Sequence, residues 1–125
     1  MIQFNETIVA LLNDYFVKSK QYVESVRLSS FGFSIQFVDF DINCEEKVFA
    51  KIGGESYEWD DAPNSGPWGA FGRQLAVKAE LKSLLLLSIT FESGDSIQIE
   101  TKEHQYESVI FNFPPKEDSI VMEIF

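Results

Sequence analysis

The sequence is poor in the residues on which most catalytic and metal chemistry depends. Its 125 residues include one histidine, His104, and one cysteine, Cys44. A structural zinc site usually needs four such ligands at close spacing, so none is predicted. Both residues lie in predicted polar turns, which favours a structural role over a Cys–His catalytic pair. We therefore predict no enzyme activity, no cofactor and no metal site.

Long apolar segments and targeting signals are also missing. The wholly apolar runs, such as Ile8–Leu12 and Leu84–Leu87, are far too short to span a membrane. Residues 1–6 have neither a basic stretch nor the small-residue cleavage site of a secretory signal. A single cysteine cannot form an internal disulfide, which fits a reducing compartment. The sequence thus predicts a cytoplasmic protein with no membrane partner.

Basic residues are scarce: ten lysines and arginines face twenty acidic residues, giving a net charge of −10. Because phosphates attract cations, this balance disfavours direct binding to nucleic acid. The acidity is uneven, since residues 39–61 carry eight acidic residues against Lys47 and Lys51. Such a field would steer a basic partner towards the protein. A second interpretation is that the charge only maintains solubility.

The patterning predicts one α+β domain spanning residues 1–125, because this length can bury one contiguous core. Asn5–Ser19 is predicted to form an amphipathic helix, with Ile8, Leu12 and Phe16 on its apolar face. Twelve phenylalanines suit a core between helix and sheet. We expect the N-terminal helix to pack on a mainly antiparallel, curved, half-barrel-like sheet of short strands.

Period-2 segments predict the strands. A hairpin of Tyr22–Ser29 and Phe33–Asp41 is followed by a polar connection, Asp41–Glu46. Two further strands flank the Gly53–Gly54 turn signal. These strands are Lys47–Ile52 and Glu55–Trp59.

The second half of the chain starts with a loop, Asp60–Phe71, which has room for one helical turn near Trp68. Gly72–Lys82 has helix-forming composition but strand periodicity, with Leu75, Val77, Ala79 and Leu81 on one face; we predict a strand. Glu80–Phe113 reads as three consecutive strands at the centre of the sheet, and Ile120–Phe125 as a last strand.

Carboxylates and large aromatic residues are interleaved in the segment 39–68, and these residue types anchor protein interfaces and meet basic side chains. A small domain can also bury its tryptophans simply to fill a core. The predicted partner-binding residues are Asp39, Asp41, Glu45, Glu46, Glu55, Tyr57, Glu58, Trp59, Asp60, Asp61 and Trp68.

The C-terminal half carries a family resemblance. Trp68–Gly69 leads into Gly72–Leu75, an alternating strand, the segment FESGDSIQIE at 91–100 and QYESVIF at 105–111. This pattern resembles the small acidic immunity proteins that accompany bacterial polymorphic toxins, including those of contact-dependent growth inhibition systems.

The resemblance implies a non-catalytic cytoplasmic protein that binds one cognate toxin domain, often a nuclease, and blocks its basic active-site surface. Such proteins share a fold more than an interface, so the resemblance transfers no binding residue. The alternative hypothesis is a small-molecule-binding module with a pocket between the helix and the sheet.

Overall fold

The computed structural model describes residues 4–29, 32–44, 48–59, 67–101, 109–113 and 122–124, and within them the chain forms one α-helix, one 3₁₀ turn and ten strands. In chain order these are α1 (Glu6–Lys18), β1 (Gln21–Ser29), β2 (Gly32–Phe37), β3 (Asp41–Cys44), β4 (Val48–Ile52), β5 (Glu55–Trp59), the 3₁₀ turn (Pro67–Phe71), β6 (Leu75–Ser83), β7 (Leu86–Phe91), β8 (Ser96–Glu100), β9 (Val109–Asn112) and β10 (Met122–Ile124).

The helix forms where the sequence predicts it. Asn5 is its N-cap, and the Asn5 side chain accepts a hydrogen bond from the Ile8 N–H at 2.9 Å. Ile8 and Leu12 are fully buried, and the exposed Lys18 lies in the last turn, where the helix dipole favours a cation. No helix in the described part of the chain has the length and apolar character needed to cross a membrane.

All pairings in the sheet are antiparallel, and the strand order is β10-β9-β3-β2-β1-β6-β7-β8-β4-β5. The sheet has two halves, which meet where Gln21 and Tyr22 of β1 pair with Ala76 and Leu75 of β6. The predicted α+β class, a helix on a mainly antiparallel sheet, is confirmed. The predicted half-barrel curvature is wrong, because the sheet is neither closed nor strongly curled.

Two strand assignments differ from the prediction. The supposed polar connection contains β3, because pairing with β2 and β9 buries Ile42 and Cys44 while Asp41 and Asn43 stay partly exposed. The segment 80–113 is not one meander: β7 and β8 pair with each other, whereas β9 pairs with β3 and β10 in the other half. Because β3 is short and half polar, its periodic signal in the sequence is too weak to identify it as the strand that lies between β2 and β9.

The remaining assignments agree with the prediction. Both turn glycines, Gly53 and Gly54, have positive φ, 61° and 85°, and join β4 to β5. The ambiguous segment after Gly72 is a strand, β6. The face predicted for this strand is wrong, however. Val77 is the extra residue of a bulge, which shifts the phase of β6 so that Ala76 and Ala79 are buried and Val77 is exposed.

Aromatic rings join the two halves of the sheet into one core. Phe37 of β2 lies 6.5 Å, between ring centroids, from Phe91 of β7. Phe33 of β2 packs edge-on against Trp68 of the 3₁₀ turn at 5.4 Å. Phe16 extends this core to the helix, with its ring 6.3 Å from that of Phe37. These contacts hold the link between β2 and β3 in a defined position.

Candidate functional site

The link between β2 and β3 is held by two phenylalanines. Phe37 and Phe40 stack at 4.8 Å, and the Phe37 N–H donates to the Phe40 carbonyl at 2.8 Å. Both rings are buried in the core, so the two residues between them, Val38 and Asp39, are held at the surface. The alternation of large apolar and polar residues here thus places one apolar and one acidic side chain on an exposed turn.

Asp39 is fixed by the residues that connect α1 to β1. Its Oδ2 accepts hydrogen bonds from Ser19 Oγ at 2.9 Å and from Gln21 Nε2 at 2.7 Å, and its N–H donates to Gln21 Oε1 at 3.0 Å. Gln21 is fully buried, so a rigid group holds the exposed carboxylate. Pre-positioning of this kind reduces the ordering cost of binding.

Asp41, the first residue of β3, lies two residues further along the chain. Its Oδ1 accepts from Asn43 Nδ2 at 3.0 Å and from Asn112 Nδ2 on β9 at 2.8 Å. Two carboxamide donors therefore orient this half-buried carboxylate across the β3–β9 pair.

Asp39 and Asp41 line an open cleft of about 490 Å³, which we call the acidic cleft. Its lining is Glu24, Ser25, Gln36, Phe37, Val38, Asp39, Phe40, Asp41, Asn112 and Phe113. Among the residues that the structure describes, this lining includes three carboxylates and no lysine or arginine. Because the partly exposed Val38 adds an apolar surface beside the acids, the cleft suits a long cationic side chain with an aliphatic stem.

Sequence reasoning missed Glu24 as a member of this site. The β1–β2 register shifts between Val23 and Ser25, which makes Glu24 the extra residue of a β-bulge. The bulge places an exposed carboxylate in the lining of the cleft, together with Asp39 and Asp41. Strand alternation in the sequence does not reveal a bulge, so no signal marked this residue.

Tyr15, on α1, is affected by the negative charge of Asp39. Burial raises the pKa of its phenol, and the charges of Asp39 and Asp14 raise that pKa further. The ring stacks on Phe113, which lines the cleft, at a centroid distance of 5.3 Å. The acidic potential around the cleft therefore acts on a neighbouring side chain of α1.

The other predicted binding residues do not join Asp39 and Asp41. Exposed Glu55 and Glu58 and half-buried Tyr57 lie on β5, the outer strand of the other half. Six strands separate β3 from β5 in the sheet order. Trp59 ends β5. Four predicted residues, Glu45, Glu46, Asp60 and Asp61, lie outside the described residues.

Trp68 requires a correction, because its side chain is not an exposed anchor. It is 1% exposed, packs against Phe33, and lies 6.1 Å from Phe71 in the same 3₁₀ turn. Burying a large indole gains more free energy than exposing it, and the Pro67–Phe71 turn directs this one into the core.

Cys44 also differs from its predicted place in a polar turn. It is buried in β3, and its Sγ lies 3.8 Å from the Glu100 carbonyl oxygen. His104 lies outside the described residues. Among the residues that the structure describes, no three His, Cys, Asp or Glu side chains are grouped so as to hold a metal ion.

The space predicted for a ligand pocket contains aromatic side chains. Phe16 of α1 packs on Phe37 and Phe40, and Tyr15 packs on Phe40 and Phe113. Where these rings pack, the interface between α1 and the sheet is filled by side chains.

Comparisons with protein-family models, with curated proteins and with solved structures find no match.

Proposed function

We propose that this protein is an immunity protein, which binds a cognate bacterial toxin domain in the cytoplasm and blocks the basic active-site surface of that domain. The observation that carries the proposal is the acidic cleft, whose lining among the described residues includes three carboxylates beside a partly apolar surface and no lysine or arginine. The net charge of −10 supports it, because a strongly acidic protein associates faster with a basic partner.

The proposal favours a nuclease as the toxin. Nucleases bind phosphates with lysine and arginine side chains, so their active-site surfaces are positive. An acidic protein can occupy such a surface in place of nucleic acid. Fixed carboxylates suit this role, since Asp39 and Asp41 are already oriented by hydrogen bonds before a partner arrives.

The first test measures binding between the purified protein and the toxin domain encoded by the neighbouring gene, at a series of salt concentrations. We expect tight binding whose association rate falls as salt rises, because counterions screen the steering field. No binding to that domain would refute the proposal, and a salt-independent rate would refute its electrostatic part.

A matched pair of double variants locates the contact surface. Glu24→Gln with Asp41→Asn removes two charges from the acidic cleft, whereas Glu55→Gln with Glu58→Gln removes two from β5. We expect the cleft pair to slow association roughly tenfold and the β5 pair by less than about twofold. Equal effects would show that only net charge matters and would exclude the cleft as the contact.

A further inference from the structure

One edge of β6 is covered by a helix rather than by a strand. β6 has nine residues, but β1 pairs only with its first two, Leu75 and Ala76. Beyond this point α1 runs along the edge: Asn13 bonds to Ala79, and the Phe4 N–H donates to the Leu84 carbonyl at 2.8 Å. The helix therefore occupies the place of a neighbouring strand.

Asn13 acts as a substitute for a peptide group on this edge. Its Oδ1 accepts from the Ala79 N–H at 2.7 Å, and its Nδ2 donates to the Ala79 carbonyl at 2.9 Å. A carboxamide has the same donor and acceptor as a backbone amide, so this pair of bonds copies one rung of an antiparallel ladder. Ala79 is 2% exposed, and without Asn13 both of its backbone groups would lose these partners.

The edge is also complementary to itself. If β6 of a second copy paired antiparallel about Ala79, Lys78 of each copy would lie opposite Glu80 of the other. In the single chain Glu80 already accepts both neighbouring lysines, with Oε2 3.6 Å from Lys78 Nζ and Oε1 3.1 Å from Lys82 Nζ. Two ion pairs could therefore form between copies from charges that now pair within one strand.

We propose that this β6 edge is a latent self-association site, that its occupant is β6 of a second copy, and that the Asn13 contact keeps it closed. Unpaired strand edges promote association between chains, and folded proteins block them with charges or with a covering element. Here α1 is the cover and Asn13 is the group that satisfies the backbone beneath it. In this proposal the Asn13 contact favours the monomer.

The test compares Asn13→Ala with Val17→Ala by sedimentation velocity over a range of protein concentrations. Val17 lies on the same helix but is 85% exposed, so this control changes the helix without touching β6. We expect Asn13→Ala to dimerise at concentrations at least about tenfold lower than the unaltered protein, and Val17→Ala to behave like the unaltered protein. At concentrations where Asn13→Ala is still monomeric, hydrogen exchange at the Ala79 amide should accelerate in this variant only; in the dimer the second copy would protect the amide.

Charge variants identify the surface. Adding Lys78→Glu to Asn13→Ala places two acids opposite each other and should suppress the dimer, and adding Glu80→Lys as well should restore it. A monomeric Asn13→Ala protein with a fast-exchanging Ala79 amide would overturn the proposal, as would a dimer indifferent to Lys78→Glu. If Asn13→Ala does not fold, Asn13→Asp replaces it. This variant removes the donor to the Ala79 carbonyl but keeps the acceptor for the Ala79 N–H, so it is judged by dimerisation and by its response to Lys78→Glu, and not by exchange at the Ala79 amide.

Discussion

Replacing Trp68 by alanine separates the two roles that the sequence allowed for this residue. In the structure the indole is 1% exposed, 5.4 Å from the Phe33 ring and 6.1 Å from the Phe71 ring. We therefore expect Trp68→Ala to reduce the free energy of unfolding, while the folded fraction keeps its affinity for a partner.

The magnitude follows from burial and from the surroundings of the indole. Truncating a buried tryptophan to alanine costs about 3–5 kcal/mol through lost transfer free energy and a residual cavity. A groove of about 290 Å³, lined by Val26, Leu28, Trp68 and Gly69, borders the site, so neighbouring groups have room to relax. We expect a loss of about 3–4 kcal/mol, a large share of the roughly 5–15 kcal/mol typical of a domain.

The assay is urea unfolding followed by circular dichroism, with thermal unfolding as a second measurement. For a chain of this size the melting temperature should fall by roughly 10–15 °C. Tyr22→Ala is the aromatic control, because Tyr22 is 41% exposed; it should cost no more than about 1 kcal/mol. A loss below about 1 kcal/mol in Trp68→Ala, with weaker partner binding, would refute the core assignment.

Three smaller predictions follow from local geometry. Asn5→Ala should cost about 1 kcal/mol in urea unfolding by removing the helix cap, whereas Asn5→Ser should retain most of it. Gly54→Ala should lower the free energy of unfolding by about 1–2 kcal/mol, because φ at Gly54 is 85°. Gly69→Ala should be close to neutral, because an added Cβ there has open space and φ is not positive. Equal costs for the two variants would contradict this account. The pKa of Tyr15 is raised above 10.0, so the contribution of its neutral phenol to stability is complete below about pH 10 and is lost as pH rises through the folded-state pKa. Tyr15→Phe should therefore reduce the loss of stability that urea unfolding measures between about pH 9 and 11. An unchanged pH profile in this variant would contradict the prediction.

Local signals in the sequence predict the individual elements well. The Asn5 cap and the apolar spacing from Ile8 predict α1, and Gly53–Gly54 predicts the β4–β5 turn, since these effects act within a few residues. Periodicity also identifies β6 as a strand despite its helix-forming composition, although the bulge at Val77 changes which residues face the core. The 3₁₀ turn lies near Trp68, where the sequence leaves room for one helical turn.

The candidate site is only partly readable from the sequence. Asp39 and Asp41 are identifiable from local acidity, and the structure places both in one cleft. Glu24 joins them only through a bulge in the β1–β2 pairing, and Asn112 joins only because β9 pairs with β3 across 71 positions of sequence. Glu55 and Glu58, equally acidic and nearer in sequence than Asn112, lie on β5 in the other half of the sheet.

By itself the sequence determined the fold class, the helix, most of the strands and the excess of acidic residues. Composition and periodicity indicate these features because they depend on burial and on local backbone preference. Only the tertiary structure decided the strand order, the burial of Trp68, the acidic cleft and the covered edge of β6. These depend on which distant strands pair and in what register, and the free energy of that choice is spread over the whole core rather than encoded in any one segment.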